Sequence, residues 1–158
     1  MSADRQESEN IFMKSDNNII FVNASIDDAD ALLSLIHQLE HFITKETLLN
    51  NLKNTLTKED YCLFVAKENN IVIAFAELQF TQFIHEKNAR VRLTSFCVDE
   101  ECRSKNIGSK FLDFIENFCM TKNIFRIELT SNVRRIDAHR FYENNGYTFA
   151  SKRFYKEL

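Results

Sequence analysis

The arrangement of the fold is decided by residues 91–110, which read VRLTSFCVDEECRSKNIGSK. The first eight of these residues are mostly apolar, aromatic or β-branched, a composition typical of a strand. A polar loop follows, and apolar residues then recur at helical spacing. These apolar residues are Ile107, Phe111, Leu112, Ile115, Phe118 and Cys119. The stretch therefore predicts a strand, a loop and a helix whose apolar side packs on the sheet and whose N-terminus points at the end of the strand.

The loop before this helix has the composition of an anion site. It contains Arg103 and Lys105, and Gly108 and Ser109 follow at the start of the helix. Backbone N–H groups at a helix N-terminus have no partner within the helix and, together with the helix dipole, favour a bound phosphate or pyrophosphate. A second interpretation fits the same residues: Gly108 only allows close packing of the helix, and Arg103 is solvated.

A second informative stretch covers residues 126–147, which read RIELTSNVRRIDAHRFYENNGY. It predicts a strand, a polar loop and a short helix, with Gly146 just beyond the helix end. Ala138, Phe141 and Tyr142 share one helical face, so Tyr142 points inward or along a groove of the domain. For a lone tyrosine, the plainer interpretation is a core or interface aromatic whose hydroxyl is hydrogen-bonded.

The rest of the chain extends this pattern in both directions. The predicted elements are a strand at Ile19–Ala24, a helix after Ser25, a helix from Thr44, strands at Tyr61–Lys67, Ile71–Phe80 and Ala89–Val98, a helix at Ser109–Thr121, a strand at Arg126–Thr130, a helix at Ile136–Asn144 and a final strand region at Tyr147–Tyr155. The order β-α-α-β-β-β-α-β-α-β is typical of one mixed α/β or α+β domain. We assign residues 19–158 to that domain and residues 1–18, which are polar and aperiodic, to an N-terminal tail.

Composition limits the classes of function. The 158 residues carry a formal net charge of -3, whereas nucleic-acid binders usually show a broad basic face, so we expect no nucleic-acid partner. No apolar run in the sequence reaches the roughly 20 residues needed to span a bilayer. The first residues lack a secretory signal, and the four cysteines form no CxxC pair. We therefore expect a cytoplasmic protein with reduced thiols, no membrane partner and no disulfide framework.

The two stretches together resemble the signature motifs of the GNAT superfamily, the acyl-coenzyme A-dependent N-acetyltransferases. Arg103–Lys110 (RSKNIGSK) resembles the pyrophosphate loop of that family, and Ala138–Tyr147 (AHRFYENNGY) resembles its second signature. The resemblance implies the GNAT-like acyl-CoA N-acyltransferase fold, acetyl-CoA as cofactor, and direct transfer of acetyl to an amine in a ternary complex. One departure is Asn106, where the family usually has Gly. Asparagine adopts left-handed backbone angles more readily than most residues, so we expect the turn to form.

The resemblance also implies where the cofactor binds. The pantetheine arm would lie where the strand ending at Val98 separates from the strand ending at Thr130, and loop amides would hold the pyrophosphate. Tyr142 would lie beside the sulfur and act as the acid that protonates the departing thiolate. The residues assigned to the cofactor are Phe96, Cys97, Val98, Arg103, Ser104, Lys105, Asn106, Ile107, Gly108, Ser109, Asn132 and Tyr142.

The catalytic base is the least determined part of this site. Many relatives carry a carboxylate at the position of Ser95, and serine cannot serve as that base. We assign the role to Glu77 on the neighbouring strand, acting directly or through water. The alternative is an exposed strand carboxylate without a catalytic role. We assign Arg90 and Arg92 to an anionic acceptor, because guanidinium groups suit phosphate-like oxygens. The alternative is that one of them is solvated or pairs with Glu77.

Within the superfamily, the chain is most similar to bacterial aminoalkylphosphonate N-acetyltransferases. The segments that carry this similarity are Asn106–Lys110, Glu128–Arg135, Asp137–Tyr142 and Gly146–Tyr147. It implies a small-molecule primary amine as acceptor. Two alternatives stay open: acetylation of a protein or peptide, and a catalytically silent CoA-binding sensor or interaction module, which Ser95 and Asn106 favour. A homodimer is a candidate assembly. No metal site is predicted, because His37 and His41 have no third ligand nearby.

Overall fold

The computed structural model describes residues 13–14, 18–103 and 105–158, so most of the predicted tail at residues 1–18 lies outside the described residues. The described residues form six strands, β1 (Met13–Lys14), β2 (Ile19–Asn23), β3 (Tyr61–Glu68), β4 (Ile71–Thr81), β5 (Arg90–Val98) and β6 (Ile127–Leu129). They also form four α-helices, α1 (Ala29–Gln38), α2 (Lys45–Thr55), α3 (Ile107–Thr121) and α4 (Ile136–Asn144). Apart from the extra strand β1 and the absence of the predicted final strand, these elements follow the predicted order. No helix of this part of the chain is long and apolar enough to cross a membrane.

The strands form one mixed sheet in which they lie in chain order. Neighbouring strands are antiparallel except β5 and β6, which are parallel and connected through α3. The turn between β3 and β4 is made by Asn69 and Asn70, whose φ angles are 51° and 66°. These left-handed angles are those of a tight hairpin turn, so the hairpin predicted from the two asparagines is confirmed.

Side chains that alternate along the strands divide the core between the two faces of the sheet. On one face α3 packs against β2 and β3, where the rings of Phe21 and Phe111 stack with centroids 5.0 Å apart and Phe64 meets Phe114 edge-on at 5.1 Å. On the opposite face, α1 and α2 pack their leucines over residues such as Val65. Helices therefore cover both faces of the sheet.

Side-chain hydrogen bonds shape the turn before α1 and cap the start of α2. The backbone N–H of Ser25 donates to Asp28 Oδ2 at 2.9 Å, in the short turn that leads into α1. Asp28 is buried, and the ammonium of Lys67 pairs with it at 2.7 Å. Thr44 Oγ1 accepts from the N–H of Thr47 at 3.1 Å and caps α2. The helix predicted from Thr44 therefore begins there, whereas the helix predicted after Ser25 begins at Ala29, beyond a short turn.

Two irregularities of β5 open the sheet beside the site. Glu77 of β4 pairs with Ser95, but the next residue, Leu78, pairs with Leu93, so Thr94 is an extra residue that bulges from β5. The parallel pairing with β6 ends at Leu93. Beyond that point the two strands separate, and the side of β5 that faces β6 has no strand partner among the described residues.

The final strand region predicted at Tyr147–Tyr155 does not form. Residues 147–158 have no regular secondary structure, and residues 148–158 are exposed, with Phe149 at 83% and Phe154 at 89%. A strand needs a hydrogen-bonded neighbour, and this segment makes no backbone hydrogen bond to a described strand. Arg153 Nη1 instead donates to the side chain of Thr130 at 3.2 Å, just beyond β6. Alternating aromatic residues resemble a strand in sequence, but no described element covers them.

Candidate active site

The loop between β5 and α3 has the backbone geometry of an anion site. Asn106 directly precedes α3, and its φ and ψ of 58° and 17° are left-handed. The expectation that asparagine takes the conformation usually given to glycine is therefore confirmed. Its side chain does not cap the helix, and the N–H groups of Ile107, Gly108 and Ser109 have no acceptor among the described residues. Unpartnered amides at the positive end of a helix dipole favour a bound anion.

Gly108 lets α3 approach α4 closely. A Cβ at this position would lie 2.9 Å from Phe141 Cζ and 3.6 Å from Val98 Cγ2. Because a separation of 2.9 Å is shorter than carbon atoms tolerate, any larger residue would displace the Phe141 ring. The packing interpretation of Gly108 is thus confirmed, and it is compatible with the free amide of the same residue.

A cavity of about 710 Å³ lies between the end of β5, the first turn of α3 and the start of α4. The sequence-predicted cofactor residues that line it are Phe96, Cys97, Val98, Arg103, Asn106, Ile107, Gly108, Ser109 and Tyr142. The residues that line it without having been predicted are Leu39, Cys102, Arg134, Arg135, Ile136, Asp137, Ala138 and Phe141. The separated strands and the anion loop therefore share one cavity with Tyr142.

Two predicted cofactor residues lie outside the cavity wall, and one lies outside the described residues. Lys105 is exposed in the loop and does not line the cavity. Asn132 does not line it either, because its Oδ1 accepts from the backbone N–H of Arg134 at 3.0 Å and so shapes the turn into α4. Ser104 is not among the described residues. Arg134 and Arg135, which follow Asn132 in the chain, line the cavity instead. Their positions about two helical turns before Tyr142 could have indicated this.

Tyr142 lies at the cavity with its hydroxyl free. Its ring packs against Phe141 and Tyr147, with centroids 5.3 and 5.7 Å away. Its hydroxyl makes no hydrogen bond to any described residue. Burial raises the pKa of Tyr142, the charge of Arg135 opposes that rise, and Cys97 adds to it. The phenol is therefore protonated at neutral pH and available as a proton donor.

Basic groups surround the cavity at two places. Arg103 follows β5, and its Nε donates to the carbonyl of Val98 at 3.2 Å. Arg134 and Arg135 lie just before α4 and also line the cavity. Arg103 and Arg134, with the free amides of α3, form a donor set for an extended anion such as a diphosphate.

Residues 27–147 match the sequence profile of the Acetyltransferase (GNAT) family. The chain belongs to this family. It is 30% identical over 125 residues to the uncharacterized N-acetyltransferase YhdJ of Bacillus subtilis, an alignment that covers 78% of this chain and 87% of that protein. It is 26% identical over 137 residues to the aminoalkylphosphonate N-acetyltransferase of Salmonella typhimurium, covering 86% of this chain and 89% of that enzyme.

Solved structures agree on the fold. A GNAT family acetyltransferase from Staphylococcus aureus superposes with a TM-score of 0.78 at 24% identity, covering 89% of this chain and 99% of that one. The protein is therefore an N-acetyltransferase with the predicted GNAT fold, and GNAT enzymes generally use acetyl-CoA.

Glu77 lies on the face of the sheet that α1 and α2 cover, and it pairs across the strands with Ser95. Its Oε2 accepts from Thr94 Oγ1 at 2.7 Å and from Ser95 Oγ at 3.4 Å. Ser95 and the cavity residue Cys97 point to the same side of β5, because they are two residues apart. Glu77 does not line the cavity itself, but only one cross-strand pair separates it from the cavity wall.

The two predicted acceptor arginines differ in their partners. Arg90 Nη1 donates to Glu128 Oε1 at 2.5 Å, and Arg90 Nη2 and Nε both donate to Glu86. Arg92 is exposed and forms no ion pair with a described residue. Neither arginine pairs with Glu77. Arg90 is thus neutralised by two carboxylates, and Arg92 alone of the pair has a free guanidinium.

Proposed function

We propose that this GNAT enzyme transfers acetyl from acetyl-CoA to the primary amine of a small molecule, and that aminoalkylphosphonates are the first acceptors to test. The observation that carries the proposal is one cavity with free helix amides at its outer end and the free hydroxyl of Tyr142 on its wall. The name of the Salmonella relative supports the choice of acceptor.

The residues present fit the cofactor. The amides of Ile107, Gly108 and Ser109 match the oxygens of a diphosphate, and Arg103 and Arg134 supply charge on either side. The unpaired edge of Phe96–Val98 suits an extended amide chain, which would bind as an added strand. A cavity of about 710 Å³ has the size of sites that enclose a large ligand. Acetyl-CoA supplies an acetyl group activated as a thioester.

Tyr142 is the proposed general acid. Its hydroxyl proton would pass to the sulfur as the thioester bond breaks, and general acid catalysis of this kind is worth about 100-fold to 10,000-fold in rate. Because burial raises the pKa of Tyr142, the proton is present throughout the physiological range. A free hydroxyl can turn toward the sulfur without breaking an existing hydrogen bond.

Glu77 is the proposed general base. A primary amine has a pKa of about 10, so at neutral pH it must lose a proton before it can attack. The hydroxyls of Thr94 and Ser95 orient the Glu77 carboxylate beside the position that carries the base in many relatives. We propose that the carboxylate takes the amine proton through one water, because Glu77 stands one cross-strand pair behind the cavity wall.

Arg92 is the proposed anchor for the anionic end of the acceptor. It lies on the same face of the sheet as Glu77, and its cross-strand neighbour Gln79 is two residues from Glu77. An acceptor with an ammonium at Glu77 and a phosphonate or carboxylate at Arg92 would satisfy both groups. Arg90 is left out of this role, because its charge is already balanced by Glu86 and Glu128.

The test combines binding with turnover. Calorimetry with acetyl-CoA measures the cofactor site, and thiol release is followed across aminoalkylphosphonates, amino acids, polyamines and peptides. We expect acetyl-CoA to bind and an aminoalkylphosphonate to have the highest kcat/KM, with a loss of about tenfold or more in Arg92→Gln. Higher turnover on peptides would contradict the small-molecule acceptor, and absence of acetyl-CoA binding would contradict the proposal as a whole.

A further inference from the structure

Arg135 and Tyr142 lie on the same side of α4. Arg135 directly precedes the helix, seven residues before Tyr142, and its own backbone (φ -87°, ψ 64°) is not helical, so it is the shared lining of one cavity that places the two residues on the same side. Side chains of a helix lean toward its N-terminus, so the Tyr142 ring extends in the direction of Arg135. Ala138, the small residue between them on this face, also lines the cavity and leaves the space open.

The electrostatics of the cavity agree with this placement. Burial raises the pKa of the Tyr142 hydroxyl and of the Cys97 thiol, and the charge of Arg135 opposes the rise at both. Arg103 also acts on Cys97. The other titratable group facing Tyr142 is Tyr147, whose hydroxyl donates to Glu116 of α3 at 3.2 Å. Arg135 is thus the cation that acts on Tyr142, and at Cys97 it acts together with Arg103, whose effect there is the larger.

The neighbouring arginine is arranged differently. Arg134 also lines the cavity, but its Nε faces Asn132 Oδ1 at 3.5 Å, which turns the side chain back toward the loop. Arg135 has no side-chain hydrogen bond or ion pair with a described residue. One guanidinium is therefore held by the loop, and the other is free beside the proposed acid.

We propose that Arg135 is a third catalytic residue, whose guanidinium stabilises the negative charge on the sulfur of the thioester as acetyl leaves. This inference rests on the proposed function. The amine nitrogen would bond to the acetyl carbon as the carbon–sulfur bond breaks, and the electron pair of the broken bond would go to sulfur beside Arg135. Tyr142 Oη would give its proton to that sulfur, the amine would lose its proton to Glu77 through water, and that proton would return to Tyr142 through solvent. A fixed positive charge where negative charge develops stabilises the transition state.

The first measurement titrates the thiol of bound CoA by the ultraviolet absorbance of its thiolate. In the wild-type complex we expect the thiol pKa to lie below that of free CoA. In Arg135→Met, which keeps the length and removes the charge, we expect it to rise by about one unit or more. Arg140→Met removes a positive charge from the same helix outside the cavity wall, where Arg140 pairs with Asp137, and is expected to keep the wild-type thiol pKa. Arg135→Lys, which restores a positive charge, is expected to recover part of the shift.

The second measurement separates the sulfur from the phosphates. Acetyl-pantetheine carries the thioester without a diphosphate. If Arg135 acts at sulfur, Arg135→Met lowers kcat with acetyl-CoA and acetyl-pantetheine by the same factor, about tenfold to 100-fold. A loss seen only with acetyl-CoA would assign Arg135 to a phosphate and overturn the inference, as would an unchanged thiol pKa in a variant with wild-type melting temperature. Failure of the wild-type enzyme to bind CoA would instead overturn the proposed function itself.

Discussion

The two ends of β5 belong to regions that treat their polar groups in opposite ways. At its carboxyl end, residues 96–109, which we call the anion end, leave polar groups unpaired: the first amides of α3 have no acceptor among the described residues. Along its first half, residues 90–95, which with Glu77 we call the acceptor face, side chains bind one another. The anion end is set by the backbone and suits one kind of ligand. The acceptor face is set by side chains, so a few substitutions can change what it binds.

The largest expected effect comes from Tyr142, the proposed acid, which lines the cavity together with the anion end. Tyr142→Phe removes only the hydroxyl, so we expect kcat to fall about 100-fold or more while the affinity for acetyl-CoA is unchanged. Initial rates of thiol release and calorimetry measure the two quantities. Because burial raises the pKa of Tyr142, the decline of the wild-type rate from phenol ionisation should begin at a higher pH than for a free tyrosine, which is half ionised at about pH 10. A Phe variant with wild-type kcat would remove Tyr142 from the acid role.

The next effect tests the acceptor face. Glu77→Gln keeps the shape of the side chain but cannot take a proton, and we expect kcat/KM for the amine to fall about tenfold to 100-fold at neutral pH. The loss should shrink as the pH approaches 10, where the amine loses its proton without help. Glu86→Gln is the matched control, because that carboxylate pairs with Arg90. An equal loss of kcat/KM in both variants would mean that Glu77 contributes only a negative charge to the acceptor face and does not take the proton.

A smaller effect tests the anion end with two glycines. Gly108→Ala forces Phe141 to move, and we expect a loss of about 1–3 kcal/mol of stability together with weaker acetyl-CoA binding. Gly146→Ala meets no atom within 4 Å, but its φ of +83° disfavours alanine, so about 1–2 kcal/mol is expected from the backbone. Thermal unfolding and calorimetry should therefore show two destabilised variants of which only Gly108→Ala binds the cofactor poorly.

The sequence was sufficient for the anion end because its requirements are local. A residue able to adopt left-handed angles, a small residue and an apolar stripe occur within a few positions of one another, and they identify Asn106, Gly108 and α3. The hairpin at Asn69 and Asn70 was predictable for the same reason. Asn132 was given a cofactor role that its bonds do not favour, because the motif has no feature that distinguishes a wall residue from a turn residue.

The acceptor face and the C-terminal segment could not be predicted in the same way because they depend on distant parts of the chain. Arg90 is neutralised by Glu86 and by Glu128, which is 38 residues away, and only the pairing of β5 with β6 brings that carboxylate close. Residues 147–155 alternate like a strand, but a strand also needs a partner edge, and alternation carries no information about one. The local backbone conformation could be predicted from the sequence, whereas the pairing of residues that are distant in the chain could not.

The smallest expected effect concerns Asn106 and decides whether its departure from the family's glycine is a defect. Its side chain caps nothing, so Asn106→Gly removes no bond and relieves the cost of a left-handed angle. We expect acetyl-CoA affinity within about twofold of wild type and an unchanged or slightly higher melting temperature. Alanine adopts left-handed backbone angles less readily than asparagine. Asn106→Ala should therefore lower the free energy of unfolding by about 1 kcal/mol and the melting temperature by about 2–4 °C. If Asn106→Gly instead bound acetyl-CoA far more tightly, the wild-type loop would be an impaired anion site, and a module with weakened catalysis would become the better description of this end of β5.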